Sequence, residues 1–243
     1  MNSFTRGAFA IGLLGLAGAA HAQFSSTITL ASEYDFRGIS QSAKDPAVQA
    51  GLDYDFGNGF ALGVWGSTID FKPTDGDFEL DLVGSYTRAI NDNASWTVGF
   101  VYYTYPGSDD VVVDGETYPG FGEFPEYYVG FSVGPFTLIQ RYADDLFDSG
   151  ESGAYTEAGA SFSLPKGFTL DLHAGYSWGD YWEAAGEEIL DYSIGIGYSI
   201  NNFDLALKYT GTDADRLKVT SDVGNTEGRV VFTIATTLPW SKS

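Results

Sequence analysis

The stretch from Leu190 to Tyr209 alternates so regularly that it admits one local structure. Leu190, Tyr192, Ile194, Ile196, Tyr198 and Ile200 fall on one face, with Asp191, Ser193, Gly195, Gly197 and Ser199 on the other. After Asn201-Asn202 a second arm sets Phe203, Leu205, Leu207 and Tyr209 against Asp204, Ala206 and Lys208. A period of two marks a strand with different surroundings on its two sides. The asparagine pair tolerates the positive φ of a tight hairpin turn. Each arm, at about eleven residues, is long enough to cross a bilayer at a tilt of about 45°. The apolar face begins and ends in aromatics, as where a strand passes the two lipid–water interfaces. The stretch reads as a transmembrane β-hairpin.

Most of the chain varies this theme. Alternating segments begin near Ile28, Ala47, Phe60, Phe78, Ser95, Glu126, Phe136, Ala154, Phe168, Leu190, Phe203 and Arg229. In the first, alternation runs on through Tyr34 and Phe36 to Arg37; in the third, Trp65 interrupts it. Short connections (57–59, 91–93, 134–135, 165–167, 201–202) interleave with longer ones (39–46, 72–77, 106–125, 143–153, 179–189, 212–227). Short turns at one end and long loops at the other are the asymmetry of outer-membrane barrels, whose strand number is even. The strands of a soluble sandwich average about five or six residues, well short of these. The expectation is an all-β, antiparallel, up-and-down transmembrane barrel of about twelve strands, occupying residues 23–243 as one domain.

Residues 1–22 have the form of a removable export signal. Arg6 gives the positive end, Ala8 to Ala20 the apolar stretch, and Ala20-His21-Ala22 a small-x-small cleavage site. No other run approaches the ~18 apolar residues of a membrane-spanning helix. The chain has no cysteine, so its fold must be held by hydrogen bonds and packing. A formal net charge of −21 argues against nucleic acid and anionic membrane surfaces as partners.

Two segments carry a family resemblance. Glu33-Tyr34-Asp35-Phe36-Arg37-Gly38-Ile39-Ser40-Gln41 leads into Pro46-Ala47-Val48-Gln49-Ala50-Gly51-Leu52-Asp53-Tyr54, and Glu79-Leu80-Asp81-Leu82-Val83-Gly84-Ser85-Tyr86 follows. These resemble the opening and the next recurrent segment of the TorF-family porins. The resemblance implies a barrel in the outer membrane of Gram-negative bacteria. Many such barrels end on an aromatic residue, whereas this chain ends Trp240-Ser241-Lys242-Ser243.

Constellations for catalysis are weak. His173, the one histidine after residue 22, falls on the inward face near mid-strand. There is no His or Cys cluster for zinc. The expectation is a non-enzyme without cofactor or metal. Carboxylates crowd the long loops (Asp109, Asp110 and Asp114; Asp144, Asp145 and Asp148; Glu187 and Glu188). They could hold divalent cations, although no EF-hand spacing is present and a solvated acidic surface is the simpler account.

The inward face is more informative. Alternation places Glu33, Asp35, Asp53, Asp55, Glu79, Asp81, Glu157, Asp171, Asp191 and Asp204 there, against Arg37, Arg141, Lys208 and Arg229. An interior is filled at about eight strands and open at about sixteen. At twelve, these charges can either line a water-filled pore or cross-link a plugged one. A ring of Asp35, Arg37, Glu79, Asp81, Arg141, Glu157 and Arg229 is expected near the outer third, with Arg37 and Arg229 facing carboxylates. In this reading Arg37 ends the first strand, and Arg141 and Glu157 lie at matching depth across the lumen. The functional expectation is a narrow porin-like channel that passes small solutes or ions and prefers cations. Its partners would be outer-membrane lipid, the solutes and further copies of itself. The alternative is a closed structural or adhesion-type barrel with acidic loops that bind external partners.

Overall fold

The computed structural model describes residues 23–71, 76–118, 120–214 and 225–240. The expected export signal lies outside the described residues. Twelve antiparallel strands form a closed barrel. They are β1 (Gln23–Ala31), β2 (Ala47–Asp55), β3 (Phe60–Thr68), β4 (Phe78–Asn91), β5 (Ala94–Thr104), β6 (Phe124–Val133), β7 (Phe136–Ala143), β8 (Gly153–Ser163), β9 (Phe168–Trp178), β10 (Ile189–Ile200), β11 (Phe203–Thr212) and β12 (Arg229–Leu238). Each pairs with its sequence neighbours. Closure comes from β1 against β12, in register from Ser26 opposite Leu238 to Ala31 opposite Thr233.

Exposure follows the alternation. Ile196 is 45% exposed and its outward neighbours Ile194 and Leu207 are similar, whereas inward Asp81 is 0% exposed. The outward belt is apolar because each charge held there against lipid would cost about 2–4 kcal/mol near the midplane. Aromatic pairs edge the belt at the short-turn end: Phe24 with Tyr54 at 4.5 Å, Phe60 with Tyr86 at 4.6 Å, and Phe168 with Tyr198 at 4.7 Å between centroids. Tyr127, Tyr142, Trp178, Tyr192 and Tyr209 are exposed toward the other end. Trp65 does not break the pattern: it sits opposite Asp81 in the ladder, inward like its neighbour.

The long loops hold more structure than their composition suggests. Residues 105–123 contain a small hairpin, Val111–Val113 with Glu116–Tyr118. The segment after β7 carries a 3-10 turn at Leu146–Asp148, and that after β9 a helix, α1 (Asp180–Ala185). Leu146 and Trp182 from these segments are buried with Tyr34, Phe71, Tyr103, Phe124 and Ile189 in one apolar cluster. The hydrophobic core of this protein therefore sits inside the barrel, in the half nearer the long loops. The half nearer the short turns keeps small and polar inward groups, among them Thr27, Asp53 and Asp171, which are half-buried.

Candidate functional site

The lumen is organised by the connection between β1 and β2. The first strand stops at Ala31, and the chain leaves the wall. Asp35 pairs with Ser40 and Phe36 with Ile39, a two-residue hairpin turning on Arg37 and Gly38. Both turn residues have positive φ, 51° and 79°, as an I′ turn demands. Glycine is required at the second position on space as well. A Cβ on Gly38 would lie 2.8 Å from Asp191 Cβ and collide with the Thr212 methyl. The tip is thus seated against the far wall at β10 and β11.

Ion pairs fix the hairpin at both edges. On one side Lys208 Nζ donates to Asp35 Oδ2 at 2.6 Å, and Arg229 bonds both Asp35 and Glu33, the latter at 2.8 Å. Arg229 also donates to the Gly38 carbonyl at 2.9 Å. On the other side Arg37 Nη2 contacts both oxygens of Glu126 at 2.6 Å, with its guanidinium 4.1 Å from the centre of the Tyr155 ring. Arg141 approaches the same Glu126 at 3.6 Å and binds Glu157 at 2.9 Å. The hairpin therefore spans the bore from β11 and β12 to β6 and β8. Truncating one member of such a buried pair typically costs about 3–5 kcal/mol, because the other charge is left bare.

A second network continues along the wall. His173 Nε2 lies 2.9 Å from Asp191 Oδ1, and the Tyr155 hydroxyl donates to Asp191 Oδ2 at 2.9 Å. On the same wall Gly175 leaves room for the Tyr155 hydroxyl, which a Cβ there would overlap. On the opposite wall the Tyr34 hydroxyl bonds the Glu79 carboxylate. Burial, and then the charges of Glu79 and Asp81, push the Tyr34 phenol well above its ordinary range, so it acts as a neutral donor.

A model built on bacterial proteins of unknown function, Gcw_chp, matches residues 16–238. The chain belongs to the Gcw_chp family. That model does not carry the TorF name to which the sequence motifs are similar. No curated protein matches the chain. Among solved structures, it is similar to the NanC porin at 13% identity and a TM-score of 0.56, covering 87% of this chain and 98% of that one. The KdgM porin matches at 12% identity and a TM-score of 0.53, covering 90% and 99%. KdgM has also been solved in complex with disordered oligogalacturonate, matching at 11% identity. At these identities the likeness establishes the barrel fold.

The residues expected to form a ring divide into four sets. Asp35 and Arg229 meet. Arg37 faces Glu126 rather than Asp35, Glu79 or Asp81, and it does so from the inserted hairpin and not from the end of a wall strand. Arg141 and Glu157 lie on adjacent strands, where Arg141 is in register with Tyr155 and Ile139 with Glu157, and they pair with each other. Glu79 and Asp81 point inward on β4, and neither forms an ion pair with a described base. Glu126 is the residue missing from the expected ring. Its signal is present in the strand itself: Tyr127, Val129, Phe131 and Val133 are the outward set, which turns Glu126 inward once β6 is allowed to begin at Phe124.

Proposed function

We propose that this protein is a narrow porin of the bacterial outer membrane, passing small solutes or ions by diffusion and preferring cations. One observation carries the reading. A closed twelve-strand barrel with an apolar belt keeps on its inward side more carboxylates than bases. Arg37, Arg141, Lys208 and Arg229 are each already bound to a carboxylate, so the field left over is negative. Rings of acidic side chains select for cations, and the acidic long loops add the same sign at the mouth. An oligogalacturonate-like polyanion, the ligand seen with KdgM, suits this lumen poorly for the same reason.

The inserted hairpin favours a second reading, a closed structural barrel. Reconstitution of residues 23–243 into planar bilayers separates the two. Discrete current steps, with a reversal potential of cation sign in a KCl gradient, are expected for the channel. A correctly inserted but silent protein favours the closed barrel, and an anion-signed potential overturns the charge argument.

A further inference from the structure

The lumen charges are balanced everywhere along the hairpin's two anchors, with one exception beside it. Lys208 and Arg229 meet Asp35 and Glu33; Arg37 and Arg141 meet Glu126 and Glu157. Glu79 and Asp81, two apart on the inward face of β4, are 3% and 0% exposed, and among the described residues no base pairs with either. Both carboxylate oxygens of Asp81 are buried with no hydrogen-bond partner. Among the described residues Glu79 is given the Tyr34 hydroxyl as a hydrogen-bond partner. The nearby Glu126 adds a further negative charge, although two arginines already hold it.

A carboxylate removed from water without a partner costs several kcal/mol, and two together cost more. Such an arrangement persists when something positive joins it. Walls of Trp65, Tyr34 and Tyr103 surround Asp81: Trp65 and Tyr103 are its ladder partners, and Tyr34 packs edge-on to Trp65 at 5.4 Å. These keep bulk water from Asp81.

We propose that Glu79 and Asp81 bind one small metal cation inside the barrel, with Asp81 as the principal ligand and the Tyr34 hydroxyl beside it. Hard cations take carboxylate and hydroxyl oxygens. Among the described residues no set of three or more His, Cys, Asp or Glu side chains forms a metal cage, so two carboxylates are the whole charged shell. The cation completes the wall against which Tyr34, and through it the hairpin stem, is packed. The assignment does not rest on conduction, because a closed barrel would need the same counter-charge.

The test is thermal unfolding of the refolded chain in detergent, at one pH and one ionic strength. NaCl, KCl, CaCl2 and MgCl2 are each compared with N-methyl-D-glucamine chloride, whose cation is too large to enter. The unfolding midpoint is expected to rise by several degrees with at least one small cation and to saturate. The monovalent and divalent arms distinguish which class is bound. Asp81→Asn and Glu79→Gln should each flatten that dependence, and in glucamine buffer both should be at least as stable as the parent. Glu151→Gln, on an exposed loop, should keep the full rise and so separates the site from the acidic surface. Equal midpoints in all salts overturn the proposal. So does a cation-dependent rise that survives in the Glu79→Gln, Asp81→Asn double variant. A stability that climbs as pH falls, equally in every salt, assigns the charge to a bound proton instead and equally overturns it.

Discussion

The two halves of the lumen are built on opposite principles, although the same strands line both. Toward the long loops, inward positions carry Tyr103, Phe124, Tyr155 and Ile189, all 2% exposed or less, and the charged groups among them, Glu79 and Asp81 apart, are bound in specific pairs. Toward the short turns, inward positions carry threonine, serine, glycine and acids such as Asp53, Asp171 and Asp204, half-buried against water. The first half behaves as a protein core that happens to lie inside a barrel; the second behaves as a wet vestibule. Stability should therefore be concentrated in one half and ion selectivity in the other.

Four experiments sharpen or break that division. The largest effect is expected from replacing Asp35–Ser40 by a Gly-Ser linker of equal length, which removes the bar across the bore. Single-channel current should rise several-fold, and an unchanged current would place the narrowest passage elsewhere. Arg37→Ala comes next. Glu126 keeps the more distant Arg141 and a long hydrogen bond from the Tyr103 hydroxyl, and a loss of about 3–5 kcal/mol is expected in denaturant unfolding, together with higher conductance. If stability falls while the current stays at the parental level, the pair braces the wall without narrowing the path.

Gly38→Ala should be milder in stability, about 1–2 kcal/mol for a Cβ at positive φ, plus the overlap with Thr212. The overlap should also make the tip leave its seat, giving noisier current without loss of insertion. Quiet, parental current would mean the hairpin shifts as a rigid unit. The smallest thermodynamic effect is expected for Asp171→Asn with Asp204→Asn in the vestibule, within about 0.5 kcal/mol as for solvated positions. Their reversal potential should nonetheless move toward zero. Strong destabilisation by this pair would erase the contrast between the halves.

Much of this architecture is legible in the order of the residues. Period-two alternation and the rhythm of connections give the barrel, the strand number and the inward face of β4, β8, β10 and β11, because lipid on one side and water on the other leave a local signature at every position. The hairpin is not legible in that way. Tyr34 and Phe36 continue the alternation of β1, so the pattern extends the strand through Arg37, yet what it records there is packing inside the lumen. The hairpin's contacts are remote in sequence, with Arg37 and Glu126 separated by 89 positions and Asp35 and Arg229 by 194. Nothing periodic encodes such a meeting. Glu126 escapes for a second reason, since Pro125 suggests a loop; Pro125 instead stands within β6, opposite Tyr102.

The hairpin is joined to the wall at two places, just after Ala31 and just before Ala47, and those two residues are ladder partners on neighbouring strands. Its stems thus rise from a single point on the rim. A segment rooted in this way cannot be expelled like a tethered ball, nor withdrawn as one strand. Seen from its root it is a lever, with its longest arm at Arg37 and Gly38 and a short one at Tyr34, and its return limb is tied by backbone hydrogen bonds from Ser40 to Asn225 and from Asp70 to Gln41. Any change in the width of the passage is then graded by the angle of that lever, and a few ångströms at its tip suffice to exchange a guanidinium–carboxylate contact for water.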